Sequence, residues 1–190
     1  LLGVVGVYRI LTHDKAKEIG KFYSEKEYNL NILLNSGRKL LELGRSCLHK
    51  DYRGGAAMYY LWSALSEYIL KNKIEILFGV ASFQGTNINK LIEPLSMLHH
   101  NYLAPKRLRV KAKAPGHQAM NLLKYEEIDR RNAMIKMPSL IKAYIRLGGF
   151  IGEDAFIDYE FNTTDVCLVL DADLVNKRQR KIYTKKDSFK

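Results

Sequence analysis

The sequence predicts one α/β or α+β domain. Short runs of β-branched and apolar residues alternate with helical segments, in the order strand, strand, helix, strand, helix, helix, strand. A chain of 190 residues with 47% hydrophobic and 27% charged residues can build one ordinary hydrophobic core. There is no internal repeat and no linker between domains. We therefore expect a single domain over residues 1–175, followed by a basic tail over 176–190.

Four segments have the composition of strands. Residues 1–11 and 39–48 are rich in Val, Ile and Leu, and residues 163–171 read "TTDVCLVLD". The segment 74–83 is almost continuously apolar, which is typical of a strand that is covered on both faces. We expect these four segments to form the sheet.

Three segments predict helices. In residues 56–71, apolar side chains recur with the spacing of one buried helical face. Residues 87–103 and 137–147 follow as the second and third helices, and Pro94 indicates either a kink or a later start. Residues 12–38 are polar and mixed, so we expect short helices or an excursion from the sheet there.

The charge and the cysteines limit the function classes. A formal charge of +11 indicates an acidic partner, which could be nucleic acid, an anionic membrane surface or an acidic protein. Cys47 and Cys167 lie in apolar runs, so we expect two buried reduced thiols, and no Cys/His cluster indicates a metal. No apolar run approaches the roughly 18 residues of a membrane span, so the expected location is cytoplasmic.

The stretch "ELGRSCLHKDYRGG" (42–55) combines charged residues with a predicted strand and turn. Gly54 and Gly55 at a helix N-terminus expose backbone N–H groups that favour a phosphate, and Arg53 adds a forked donor. A purely structural turn is at least as compatible with a Gly-Gly pair. Glu42 suits a general base for an amine or a salt bridge on an edge strand. Unless a bulge intervenes, Arg45 points to the face opposite Glu42.

This stretch carries a family resemblance. "LLELGRSCLHKDYRGG", a long helix and then "LFGVASFQGT" resemble the acyltransferases of the GNAT superfamily. More narrowly they resemble the ornithine N-alpha-acyltransferases, or lyso-ornithine lipid synthases, which are often labelled haemolysin-like. "VVGVYRIL" (4–11) and the segment 137–170 also match, so the resemblance covers about residues 3–175. The Glu-Leu-x-Arg unit at 42–45 is also similar to acyl-homoserine lactone synthases.

The resemblance implies a fold and a length. It implies a mixed, mostly antiparallel sheet flanked by helices. Members of the family carry a further strand and two helices before the strand that matches 4–11. The chain is therefore expected to be N-terminally truncated and to lack the first strand and helices. An uncovered edge strand predicts association or poor solubility.

The resemblance also implies a donor site. The backbone of Ser46, Cys47 and Leu48 would pair with the amides of a phosphopantetheine arm. Its phosphate would be cradled by a group of consecutive residues: Arg53, Gly54, Gly55 and Ala56. Ala56 and Met58 stand where the usual GNAT phosphate loop has a glycine and a Gly or Ala. This departure favours acyl carrier protein over acetyl-CoA as donor, with acyl-CoA as a second option and no permanently bound cofactor.

The implied reaction moves a (3-hydroxy)acyl chain to the α-amine of ornithine or a similar amino acid, in lipid biosynthesis. Glu42 would take the proton from the attacking amine, and Arg45 would hold the acceptor or the acyl carbonyl. Ser82 and Phe83 would line the cleft where chain and amine meet. The family mechanism is direct attack on the thioester, so Cys47 is not expected to be a nucleophile.

Three partners follow from this resemblance: acyl carrier protein, the amino-acid substrate and an anionic membrane. Lys142 and Arg146 lie one turn apart beside an apolar face, which suits either interfacial binding or an ordinary surface helix. Two alternatives remain. The chain is a catalytically inactive remnant of the family, or, less favoured, a basic nucleic-acid-binding module. The basic segment 106–113 contains no aromatic residue for base stacking, which argues against nucleic acid.

Overall fold

The computed structural model describes residues 3–53 and 56–174. Gly54, Gly55 and the expected tail over 176–190 lie outside the described residues. The strands in the described part are β1 (Gly6–Thr12), β2 (Tyr28–Asn29), β3 (Leu40–Leu48), β4 (Ile76–Gln84), β5 (Lys111–Ala112), β6 (His117–Gln118), β7 (Phe150–Ile151), β8 (Ala155–Asp158) and β9 (Thr163–Asp171). The α-helices there are α1 (His13–Ile19), α2 (Asn31–Leu34), α3 (Ala57–Asn72), α4 (Ile92–Tyr102), α5 (Arg130–Lys136) and α6 (Ser139–Arg146).

Among the described residues, the main sheet has seven strands. Its order is β1-β3-β4-β9-β8-β6, with β7 also paired to β9, while β2 and β5 form a separate two-stranded sheet. Strands β3 and β4 are parallel, and the other pairs between named strands are antiparallel. The expected mixed, mostly antiparallel sheet flanked by helices is confirmed. In the described part β1 is an outer strand, and the association expected from an exposed edge stays a prediction.

Alternating side chains of the central strands build a core on each face of the sheet. Leu77 of β4 and Leu168 of β9 point into one cluster with Trp62 of α3, and this cluster also receives α4, α5 and α6. Phe78 and Val169 point into the other cluster, which receives Phe22, Tyr28 and part of α1 and α2. Because successive side chains of a strand point to opposite faces of the sheet, each central strand contributes to both clusters.

Most elements lie close to the segments that the sequence predicts. Strand β9 coincides with the predicted 163–171, and α4 begins at Ile92 with Pro94 in its first turn, so Pro94 marks a later start. The sequence did not predict α5 or the short strands β5 to β8, because segments of two to seven residues carry little periodicity. None of the described helices has the length and apolar character needed to cross a membrane.

The two parallel strands separate part of the way along their length. Their ladder pairs Leu40 with Ile76 and ends at the pair Glu42 and Phe78. Immediately beyond that pair, an added Cβ at Gly79 would overlap the carbonyl oxygen of Leu43. Only glycine permits this close approach of two backbones. The remainder of β3 continues beside β1 and the remainder of β4 beside β9, which opens a cleft between them.

A buried ion pair ties together the opposite ends of these strands. The Arg38 guanidinium donates two hydrogen bonds, of 2.7 and 2.8 Å, to the carboxylate of Asp171 at the end of β9. The same guanidinium donates to Glu75, just before β4, at 3.4 Å. Asp171 is only 2% exposed, and its hydrogen bonds from Arg38 hold the pKa of that carboxyl below its ordinary value.

We predict that Arg38→Met lowers the free energy of unfolding by about 2–4 kcal/mol, because the buried Asp171 then has only the more distant, exposed Arg107 as an ion-pair partner among the described residues. A carboxyl with a lowered pKa stabilises the fold above its unfolded-state pKa and loses that effect as the pH falls through its folded-state pKa. The wild type should therefore lose stability on acidification below pH 3.8 more steeply than the variant. Urea unfolding followed by circular dichroism between pH 2.5 and 7 measures both effects.

Arg107→Met is the matched control for this experiment. Arg107 also approaches Asp171, at 3.6 Å, but its side chain is 65% exposed. We expect a cost below about 1 kcal/mol, as for other exposed pairs. Equal costs for the two variants would show that the buried clamp of Arg38 has no special role.

Candidate active site

Three adjoining cavities run from one face of the sheet to the other. The β3–α3 groove, of about 700 Å³, lies on the face that carries α3 and α6 and is lined by Ser46, Cys47, Leu48, Arg53, Met58, Tyr59, Trp62, Ser139, Leu140 and Ala143. The strand cleft, of about 40 Å³, lies where β3 and β4 separate and shares Ser46 and Leu140 with the groove. The acidic cavity, of about 280 Å³, shares Leu43, Arg45 and Val80 with the cleft.

In the β3–α3 groove, the end of β3 keeps one hydrogen-bonding edge unpaired by any described strand. Cys47 and Leu48 pair with β1 on one side, while the ladder to β4 on the other side has already ended at Glu42. An open strand edge can pair with the amides of an extended ligand. Cys47 is exposed here, so the expectation of two buried thiols is wrong for Cys47 and holds for Cys167.

The expected phosphate site lies at the far end of the groove. Arg53 is exposed, and its Nε donates to the Leu48 carbonyl at 3.2 Å, which directs the guanidinium along the end of β3. Ala56 precedes the first residue of α3 and is exposed. Gly54 and Gly55 lie outside the described residues, so the glycine pair stays a prediction.

A β-bulge brings Arg45 to the same cavity as Glu42. The register between β1 and β3 shifts after Val7, so that Arg45 and Ser46 both lie opposite Tyr8. Arg45 has a left-handed backbone with a φ of 51°. Its guanidinium lies 5.6 Å from the ring centroid of Tyr23. The β-bulge that the sequence analysis allowed as an alternative is therefore present. Glu42 and Arg45 both line the acidic cavity.

Glu42 is buried and already makes three hydrogen bonds. It is 2% exposed, and its Oε1 accepts from the backbone N–H and the hydroxyl of Ser24, both at 2.6 Å. Its Oε2 accepts from the Tyr23 N–H at 3.0 Å. A carboxylate has about four lone-pair sites, so about one remains for a proton or a water molecule. Glu42 thus both anchors the turn at Tyr23–Lys26 and presents a basic oxygen to the cavity.

Two tyrosines at the strand cleft form a pair that the sequence did not single out. The hydroxyls of Tyr8 in β1 and Tyr144 in α6 are hydrogen-bonded to each other. Burial raises the pKa of both phenols, so both remain protonated at neutral pH. Both rings line the cleft, where their hydroxyls can donate a proton to a leaving group.

Three acidic residues, also missed by the sequence analysis, come together in the acidic cavity. The carboxyl oxygens of Glu27, Asp158 and Asp165 lie within 4.8 Å of one another. Glu27 is 5% exposed and Asp165 is 4% exposed. Burial, followed by repulsion from Asp165 and Asp158, raises the pKa of Glu27 to about 8. Burial also raises the pKa of Asp165. Such an oxygen cluster suits a hard metal cation or an ammonium group.

The two residues expected at the end of β4 separate to opposite faces. Ser82 is exposed and lines the acidic cavity, on the same face as Asp165, its partner in β9. The side chain of Phe83 is 1% exposed and packs in the hydrophobic core with α3 and α4. The expectation that Phe83 lines the cleft is therefore wrong, because neighbouring strand residues point to opposite faces.

Comparison with known proteins places this geometry in a family. Residues 2–63, which include β1, β3 and the start of α3, match the family described as Acetyltransferase (GNAT) domain. No solved structure matches the chain.

The chain is also similar to curated enzymes over most of its length. It is 55% identical to the L-ornithine N(alpha)-acyltransferase of Rhodobacter capsulatus over 96% of this chain and 70% of the relative. Identity is 38% to the protein of that name from Brucella abortus and 37% to that from Rhizobium meliloti, in each case over 95% of this chain. The chain spans 65% and 62% of those two relatives. It belongs to the L-ornithine N(alpha)-acyltransferase family of GNAT-domain acyltransferases.

Proposed function

We propose that the chain transfers a long acyl chain from a thioester to the α-amine of ornithine. The observation that carries this proposal is the strand cleft, which joins an open-edged groove on one face of the sheet to an acidic cavity on the other. The names of the relatives agree with an ornithine acceptor. A thioester and an amine that enter from opposite faces meet where β3 and β4 separate, which is the orientation that direct attack requires.

The donor arm would lie in the β3–α3 groove. Its amides would hydrogen-bond to the free backbone edge of Ser46, Cys47 and Leu48, as an added strand does. Its phosphate would meet Arg53 and the backbone around Ala56. The thioester carbonyl would then lie at the strand cleft beside the tyrosine pair.

The chemistry needs a base for the incoming amine and an acid for the leaving thiolate, and the site offers a group for each role. Glu42 accepts a proton from the α-ammonium, directly or through a water molecule, so that the free amine can attack the thioester carbon. Glu42 passes this first proton to solvent, and as the new C–N bond forms and the C–S bond breaks the nitrogen loses its second proton to the same carboxylate. The leaving thiolate takes a proton from the pair Tyr8 and Tyr144, which regains it from solvent. No acyl-enzyme is required, so exposed Cys47 has no chemical role in this mechanism.

We propose acyl carrier protein as the donor, with acyl-CoA as the alternative. Carrier proteins are acidic, and the groove opens beside exposed Lys50 and Arg53 on a chain with a formal charge of +11. The product is an acylated amino acid that belongs in a membrane, so we also propose peripheral contact with an anionic surface. On α6, Arg146 is exposed for such contact, while Lys142 donates to the Met134 carbonyl at 3.1 Å.

We predict that the purified chain, mixed with 3-hydroxyacyl carrier protein and a pool of amino acids, forms N-acylornithine. Mass spectrometry of the lipid extract identifies both the acceptor and the acyl chain. A folded chain that binds the donor and yields no N-acyl product would show that it is an inactive member of the family.

We predict that Glu42→Gln lowers kcat at least about 100-fold, because an amide cannot accept the proton of the amine. The variant also places an amide donor against the N–H of Tyr23 or Ser24, which should cost about 1–3 kcal/mol of stability. Steady-state kinetics and thermal unfolding separate the two effects.

Ser24→Ala is the control, since it removes one hydrogen bond to Glu42 and leaves the carboxylate in place. We expect a loss of about 1 kcal/mol in stability and less than a tenfold change in kcat. Full activity in Glu42→Gln would exclude the proposed base.

We predict that Tyr144→Phe lowers kcat about 100-fold with the natural alkyl thioester. An aryl thioester releases a stable thiolate that needs no proton, so it should restore the rate to within about fivefold of the wild type. Tyr60→Phe, at a position on α3 that is 63% exposed, should not change either rate. An equal loss with both thioesters would show that Tyr144 supports the fold of the cleft rather than proton transfer.

A further inference from the structure

We infer that Glu27, Asp158 and Asp165 bind the side-chain ammonium of the acceptor and so restrict the enzyme to diamino acids. The inference rests on the proposed function for its substrate class, since it assigns to the acidic cavity the selection of the amino acid. The cavity has an acidic floor, formed by these three residues, and a basic rim.

No lysine or arginine forms an ion pair with the acidic floor in the described part of the chain, and the charge of Lys26 only partly offsets the effects that raise the pKa of Glu27. Glu27 and Asp165 are each at least 95% buried, and Glu27 Oε2 and Asp165 Oδ1 have no hydrogen-bond partner there. The described ion pairs include none of the three carboxyls. The ammonium of nearby Lys26 lies over the ring of Tyr23, 5.2 Å from its centroid. Buried carboxyls are normally paired or bind a cation.

The other end of the cavity favours a dipolar organic ligand over a bare metal ion. Arg9 and Arg45 line the same cavity, and their guanidinium groups lie 5.0 and 5.6 Å from the centroid of Tyr23. Two guanidiniums bind a carboxylate and repel a metal cation. A ligand with an ammonium at one end and a carboxylate at the other therefore complements both ends of the cavity.

The size of the cavity also agrees with one amino acid. Its volume is about 280 Å³, the space of roughly nine water molecules at about 30 Å³ each, which is enough to hold the nine non-hydrogen atoms of ornithine.

An acceptor held at both ends would present its α-amine for reaction. The carboxylate and the α-amine share one carbon, so a carboxylate at Arg45 places the amine near the part of β3 that also lines the strand cleft. Glu42 lines the same cavity as both the rim and the floor. Binding of the side-chain ammonium thus positions the nucleophile without contacting it.

This arrangement predicts selection against neutral side chains. Ornithine and lysine fill the acidic floor with an ammonium, whereas norvaline has the carbon skeleton of ornithine and leaves the floor unpaired. A site with buried polar groups rejects a ligand that lacks their partner by several orders of magnitude. We expect ornithine to bind at least about 100-fold more tightly than norvaline. Lysine is one methylene longer than ornithine, so its affinity should differ from that of ornithine by about 10- to 200-fold.

The test measures binding of ornithine, norvaline and lysine to the purified chain by calorimetry at pH 8.5, with and without a thioether analogue of the acylpantetheine donor. Glu27→Gln and Asp165→Asn should each reduce the ratio of ornithine to norvaline affinity to below about 10. Glu27→Gln exchanges a buried carboxyl for a neutral amide, so we expect it to fold, and circular dichroism checks this. Glu18→Gln, at an exposed position on α1, should leave the ratio unchanged.

The outcomes separate this inference from the proposed function. A ratio of ornithine to norvaline affinity that falls below about 10 in both Glu27→Gln and Asp165→Asn supports the inference, even if no acyl transfer is found. Acylation of ornithine with an unchanged ratio in the variants, or equal binding of ornithine and norvaline, overturns the inference and leaves the acyltransferase proposal standing. Binding of Mg²⁺ or Ca²⁺ that is lost in the same variants, with no ornithine binding, also overturns it.

Discussion

The separation of β3 and β4 beyond the pair Glu42 and Phe78 is the constraint on which the rest of the site depends. Gly79 permits it, because a side chain there would overlap the Leu43 carbonyl. After this point β3 retains β1 and β4 retains β9, so each strand exposes one free edge toward the other. A sheet is normally a barrier between its two faces. Here the strand cleft interrupts that barrier between the α3 face and the face of Phe22 and Tyr28.

The buried carboxyl residues fall into two groups, one that stabilises the fold through an ion pair and one that we assign to ligand recognition. Asp171 receives a bidentate hydrogen bond from Arg38, which lowers its pKa and fastens the ends of three segments of the sheet. Glu27 and Asp165 are buried to a similar extent, yet burial, followed by repulsion from Asp158 among other charges, raises the pKa of both. A buried acidic floor that takes part in no described ion pair makes physical sense if the ligand provides the cation.

The sequence predicted local elements well and long-range proximity poorly. The long apolar runs of β4 and β9 and the amphipathic α3 were predicted, and the family resemblance drew attention to Glu42, Arg45 and Ser82, which meet at one cavity. The floor was missed because Glu27, Asp158 and Asp165 lie on separate elements, and only the register of β8 with β9 brings the last two together. The bulge that turns Arg45 depends on its left-handed backbone, which no local pattern indicates. Strand alternation alone would have excluded Phe83.

We propose that donor and acceptor occupy opposite faces of the sheet and meet at the strand cleft. A crystal structure with a thioether analogue of the acylpantetheine and with ornithine tests it most directly. We expect to find the arm along Ser46, Cys47 and Leu48, its sulfur beside Tyr144, and the ornithine side chain at the acidic floor. An arm bound elsewhere, or both ligands on the same face of the sheet, would contradict it.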